Sequence, residues 1–264
     1  MAAGSADPGD AATRNPGRRG LGVDIGGSGI KGGLVDLDAG VLIGERHRID
    51  TPQPATPRAV GEVAGRIVEH FGWTGEVGLT LPAVIVGGVA RTAANIDPAW
   101  IGTQTREALG RCIPGPVEVL NDADAAGLAE VRFGAARDVA GVVLVLTFGT
   151  GIGSALFVGG RLVPNTELGH IDVGGEDGET LAAASVRERL ELSWPQWAAR
   201  VEQYLQRLER FLWPDLIVVG GGVSKRADKW LPLISHRTPI VPAQLQNAAG
   251  IVGAALAAAE DRGY

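Results

Sequence analysis

At 264 residues, with 45% hydrophobic residues and 40 glycines, the chain can build one large domain or two lobes sharing a cleft. A net charge of −6 argues against nucleic-acid or membrane partners, and the single Cys112 excludes an intrachain disulfide and a cysteine-based zinc cluster. No apolar run is long enough to cross a bilayer, which together with the cysteine usage predicts a cytoplasmic protein.

Residues 1–19 are mostly Ala, Gly, Asp, Pro and Arg with no apolar centre, so they predict a disordered leader rather than a signal peptide. Residues 20–51 then read as two or three strands. The first opens into Asp24-Ile25-Gly26-Gly27-Ser28-Gly29-Ile30-Lys31-Gly32-Gly33, a strand, glycine turn and strand. Such a turn brings backbone N–H groups close to a ligand with no Cβ in the way. Asp24 suits a Mg²⁺-bound phosphate, and Lys31 suits the phosphate itself. A Pro-rich connector (Thr51 to Pro57) precedes a helix with Val60, Val63, Ile67 and Phe71 on one face. Val77 to Leu81 is a buried strand stopped by Pro82, and Val84 to Ala90 a hairpin turning at Gly87-Gly88. Val117 to Leu120 is a further strand, ending at Asn121-Asp122, and Ala123 to Arg132 is helical.

A second half opens with the strand Val139 to Leu146 and a variant of the first turn, Thr147-Phe148-Gly149-Thr150-Gly151-Ile152-Gly153-Ser154. Two such turns predict a duplicated α/β fold that holds a phosphate donor between its halves. Farther on, Ser193 and Gln196 have capping-box spacing, and Trp197, Val201, Tyr204, Leu208 and Phe211 mark one face of a helix ending before Pro214. Leu216 to Val219 is a strand running into Gly220-Gly221-Gly222, and an Ala-rich helix spans residues 247–262. The implied units are 20–122, with that last helix packed back on it, and 123–246.

Each polar cluster has two readings. Asp122, at the carboxyl end of a buried strand, could take the proton of an attacking hydroxyl or simply cap the following helix. Glu167 and His170 project together if the backbone between them turns helically; they could bind vicinal hydroxyls, contribute to a metal site or simply be polar residues of a surface loop. Asn95 could read a hydroxyl or form an Asx turn before Pro98. The glycine run at 220–222 leads into Lys225-Arg226-Ala227-Asp228-Lys229, either a solvated patch or a second station for a polyanion.

Taken together, these motifs resemble the ROK family of bacterial sugar kinases, and within it the polyphosphate-dependent glucokinases, over residues 20–260. The resemblance implies the actin-like ATPase (ribonuclease H-like) fold, two lobes with mixed sheets around a central cleft. It implies transfer of a terminal phosphoryl group from polyphosphate, with ATP as a possible second donor, to the 6-hydroxyl of glucose with Mg²⁺. By the same match Asp122 is the base, and Asn95, Asn121, Asp122, Glu167, His170 and Glu179 contact the sugar. The donor falls to Asp24, Gly26, Gly27, Ser28, Gly29 and Lys31 in the first turn. Thr147, Gly149, Thr150, Gly151 and Gly153 belong to the second, and Gly221, Gly222 and Lys225 to the last segment. Typical members follow the histidine with zinc-binding cysteines, whereas Ile171 to Gly178 has none, so no zinc is expected. A homodimer is expected. The remaining alternatives are a strictly ATP-dependent glucokinase or glucomannokinase and a non-catalytic sugar sensor.

Overall fold

The computed structural model describes residues 17–260. Its first half contains β1 (Arg19–Ile25), β2 (Gly29–Asp36), β3 (Val41–Asp50), α1 (Pro57–His70), β4 (Val77–Leu81), β5 (Ile85–Val86), β6 (Val89–Ala90), α2 (Thr105–Gly110), β7 (Val117–Asn121) and α3 (Asp122–Phe133). There follow β8 (Val142–Phe148), β9 (Ile152–Val158), β10 (Arg161–Val163), β11 (Asp172–Val173), β12 (Glu176–Asp177), α4 (Gly178–Ala182), α5 (Ala184–Arg189), α6 (Trp194–Leu212), β13 (Leu216–Gly221), β14 (Ile240–Pro242) and α7 (Ala249–Ala259).

The duplication read from the glycine turns is a duplication of topology. One five-stranded sheet has the order β3-β2-β1-β4-β7 and the other β10-β9-β8-β13-β14. In each, three antiparallel strands are followed by two parallel ones. The antiparallel neighbours β1–β2 and β8–β9 are joined by the two glycine turns. Both turns therefore lie at the carboxyl ends of the strands that open each sheet, where open sheets present their ligands.

Local sequence explains the supports. Thr56 caps α1 through a hydrogen bond from Ala59 N–H at 3.3 Å, Pro57 starts the helix, and Val60, Val63 and Ile67 are buried. β4 is buried at every position, as suits a central parallel strand. α7 is Ala-rich and buried almost throughout, so it has no polar face to turn to solvent. It packs on β1, β4 and α3, and Gly22 and Gly78 admit it. A Cβ on either would overlap a backbone carbonyl, of Ile251 and Ala254 respectively. The capping box of α6 forms, and Trp197, Val201, Tyr204 and Leu208 are fully buried. Trp197, Tyr204 and Trp230 meet Phe148 edge to face, so the residue entering the second glycine turn is set in an aromatic cluster.

Several expectations need correction. Arg19 of β1 pairs with Asp36, so the first strand starts before residue 20; residues 1–16 of the expected leader lie outside the described residues. Phe211, placed on the buried face of α6, is 60% exposed, with the Arg207 guanidinium over its ring at 4.7 Å. The last helix starts at Ala249, after a separate 3₁₀ turn over Gln246–Ala248, and residues 261–262 lie outside the described residues. The strand expected from Val139 begins at Val142. Among the described residues no helix is long and apolar enough to cross a membrane.

Candidate active site

Asn121 and Asp122 divide two roles that the sequence left open for Asp122. Asn121 is the N-cap of α3; its Oδ1 accepts from Ala123 N–H at 2.8 Å and Asp124 N–H at 3.1 Å. Its amide also donates to the Ala83 carbonyl at 3.2 Å, joining β7 to the segment after β4. With the cap supplied by its neighbour, Asp122 is left facing the cleft. One Asp122 oxygen still accepts from Ala123 N–H at 2.9 Å. Its side chain is exposed in the cleft. The surrounding protein disfavours its charged form, and the charge of Asp24 adds to this, so its carboxyl is pushed up to about 6. A carboxylate with a pKa close to neutral is suited to accept a proton.

The expected sugar contacts come together around it. Asn95, Asn121, Asp122, Glu167, His170 and Glu179 all line one cavity of about 550 Å³. Asn95 holds φ at 58°, and the turn role weighed for it belongs to Asp97, whose side chain accepts from Ala99 N–H at 2.8 Å. The helical turn expected between Glu167 and His170 is a 3₁₀ turn, Leu168–His170. It leaves His170 Nε2 4.0 Å from a Glu167 carboxylate oxygen. Burial raises the Glu167 carboxyl from its ordinary value. Glu179 accepts from Ile152 N–H at 3.2 Å, which ties the sugar side to the second glycine turn.

The residues expected on the donor divide into those that line this cavity and those that do not. Gly26 and Gly27 line this cavity from the first turn, and Thr147, Gly149, Thr150, Gly151 and Gly153 from the second, with Gly221 beside them. The N–H groups of Gly26 and Gly149 close their own turns, onto the Gly29 and Gly151 carbonyls. They are therefore not the N–H groups a phosphate would meet. Asp24, Ser28, Gly29 and Lys31 do not line the cavity. Asp24 accepts from the Thr80 hydroxyl at 2.9 Å and lies 3.9 Å from Lys31, its cross-strand partner. A second cavity of about 600 Å³ shares Phe148, Gly149 and Thr150 with the first and extends to Gly222, Arg226 and Lys229. Lys225, expected on the donor, lines neither cavity.

Sequence reasoning missed three residues. Asp177 Oδ2 lies 2.9 Å from His170 Nδ1, and this hydrogen bond is the largest cause raising the His170 pKa. The signal was Gly174-Gly175, at φ 68° and 92°, which turns β11 back on β12 and brings Asp177 beside His170. Asn165 bridges the halves, accepting from Ile85 N–H at 2.8 Å and donating to the Ile85 carbonyl at 2.7 Å. Its own N–H bonds a carboxylate oxygen of Asp124, which is 2% exposed and whose carboxyl burial pushes up to about 7.

His170, Asp177 and Glu179 bring ligand-type atoms within 4.8 Å of one another. Asp177 and Glu179 are already engaged, with His170 Nδ1 and Ile152 N–H, so the geometry supports an oriented imidazole. Asp177→Asn keeps an oxygen to cap α4, where Oδ1 now accepts from Glu179 N–H at 3.0 Å. It is expected to move the His170 pKa down toward its ordinary value. An NMR titration of His170 measures this, and an unchanged titration would contradict the orienting role.

A profile of the ROK family matches residues 20–182. The polyphosphate glucokinase of Mycobacterium tuberculosis (strain CDC 1551 / Oshkosh) is 56% identical over 245 residues, 92% of each chain. That of Mycobacterium leprae (strain TN) is 51% identical over 255 residues, 96% of this chain and 79% of the relative. The crystal structure of the inorganic polyphosphate/ATP-glucomannokinase from Arthrobacter sp. strain KM superposes with a TM-score of 0.89 at 50% identity. It covers 92% of this chain and 99% of that one. The fold is accordingly that expected, the actin-like ATPase fold with two mixed sheets.

Proposed function

The chain belongs to the ROK family, and from that premise we infer that it is a polyphosphate glucokinase, transferring a terminal phosphoryl group to the 6-hydroxyl of glucose. The observation that carries the mechanism is the division of labour at the end of β7. Asn121 caps the helix, and Asp122 is free to serve as the base.

Glucose would lie in the cavity of Asn95, Asn121, Glu167, His170 and Glu179, its hydroxyls held by amide, carboxylate and imidazole partners. Asp122 would take the proton of the 6-hydroxyl as its oxygen bonds to the terminal phosphorus. The bond from that phosphorus to the bridging oxygen breaks, and the shortened chain leaves with the electron pair. Backbone N–H groups of the two glycine turns would hold the donor, so that positioning and charge neutralisation lower the barrier. Asp24, a carboxylate that accepts from the Thr80 hydroxyl and lies close enough to Asp122 for its charge to bear on it, would hold Mg²⁺, and that ion would neutralise donor charge. We propose no zinc, a homodimer and a cytoplasmic site of action; metal content of the purified protein and light scattering test the first two.

A coupled assay for glucose 6-phosphate with polyphosphate or ATP as sole donor tests this reading. Product from both donors, or from polyphosphate alone, is expected. Product from ATP alone would leave a strictly ATP-dependent kinase, and none from either a sugar sensor. A polyphosphate chain runs past the glycine turns and needs cations there, where Arg226 and Lys229 line the second cavity. Replacing both with Ala is expected to raise the polyphosphate KM several-fold more than the ATP KM, while Lys225→Ala does less. The wild-type polyphosphate KM should rise with salt as these exposed charges are screened. Equal changes for the two donors would mark the cluster as solvated surface.

A further inference from the structure

Ser185, in the first turn of α5, donates its N–H to the Gly149 carbonyl at 3.1 Å and its hydroxyl to the Thr150 carbonyl at 2.6 Å. These bonds fasten α5 to the second glycine turn, so any donor held by that turn has a fixed relation to α5. Arg187 follows two residues later and lines the donor-side cavity. Its guanidinium carbon lies 3.8 Å from the centroid of the Trp194 ring, well inside cation–π distance. Its Nε is buried without a hydrogen-bond partner. Buried guanidinium nitrogens are ordinarily paired, and a carboxylate or phosphate oxygen is the partner their geometry suits.

The two candidate donors ask different things of this cavity. A purine needs a flat apolar face to lie on, and Trp194 at the head of α6 is the half-buried aromatic ring in the lining. A polyphosphate needs cations, and Arg226 and Lys229 line the same cavity. Arg187 lies on the aromatic face and adds a third positive charge, so one side chain opposes the first requirement and serves the second.

Resting on the polyphosphate reading of this site, we propose that Arg187 selects the donor. It pairs with a phosphoryl group beyond those held by the glycine turns, and it denies the Trp194 ring to a purine. The idea separates Arg187 from Arg226 and Lys229, which line the same cavity and supply charge to a polyphosphate without covering the Trp194 ring.

Arg187→Met keeps an unbranched apolar stem over Trp194 without the charge, and Arg187→Lys keeps the charge without the planar fork. Donor KM and kcat are measured for long-chain polyphosphate and for ATP with glucose saturating. In Arg187→Met the polyphosphate KM should rise roughly tenfold or more, the loss of one charge-assisted contact. The ATP KM should hold or fall, and Arg187→Lys should recover part of the polyphosphate affinity. A change of equal size for both donors, or none, overturns the selector while leaving the polyphosphate reading in place. A wild type that uses ATP alone overturns both. Circular dichroism of each variant separates misfolding, which would depress both donors together.

Discussion

Asp122→Asn is expected to fold and to bind glucose as the wild type does, and to turn over on the order of 10²–10⁴-fold more slowly. The amide keeps the shape and the hydrogen bond from Ala123 N–H, and Asn121 still caps α3, so fold and cap survive the change. What it loses is the ability to accept a proton. The pH profile gives an independent reading. Asp122 can act only as the carboxylate, and its pKa is pushed up to about 6. Wild-type kcat/KM should therefore fall as pH drops through about 6, close to tenfold per unit below it. The residual activity of the variant should lack that limb. Stopped assays across pH 5–8 measure both, and a variant near the wild-type rate would reduce Asp122 to a bystander of the cap.

Gly169→Ala should be nearly as damaging, through the sugar rather than the proton. A Cβ there would sit well inside contact distance of the Ile152 carbonyl, which belongs to β9 and cannot move freely. The 3₁₀ turn would shift, and Glu167 and His170, which flank Gly169, would shift with it. Overpacking of this kind costs about 1–3 kcal/mol of stability. Misplacing the sugar partners by about 1 Å should lower kcat/KM for glucose about 10²-fold. Thermal unfolding and steady-state kinetics report the two effects separately. An unchanged glucose KM would mean that Glu167 and His170 are not held by this turn.

The parts of this architecture that were legible in the sequence are those carried by short stretches of chain. The glycine turns between apolar runs announced β1–β2 and β8–β9, and Ser193 to Gln196 announced the start of α6. The face of α1 followed from helical spacing. Side-chain partners set by long-range packing were not legible. Asn165 finds Ile85 across 80 residues because the loop after β10 meets the β5–β6 hairpin there, and no local pattern encodes that meeting. Periodicity placed Phe211 inside, but the buried face of α6 ends one turn earlier, at Leu208. Lys225 looked like part of one basic cluster, yet Arg226 and Lys229 line the second cavity and Lys225 does not. Arg187 gave no signal because its meaning depends on Trp194, seven residues away in a different helix.

The central claim is direct transfer from polyphosphate to glucose. Phosphorus NMR of nucleotide-free protein with glucose, Mg²⁺ and polyphosphate of defined length follows that transfer without coupling enzymes. The account predicts a growing glucose 6-phosphate resonance, with one phosphate lost from the chain for each sugar phosphorylated. A spectrum that stays unchanged until ATP is added would contradict it.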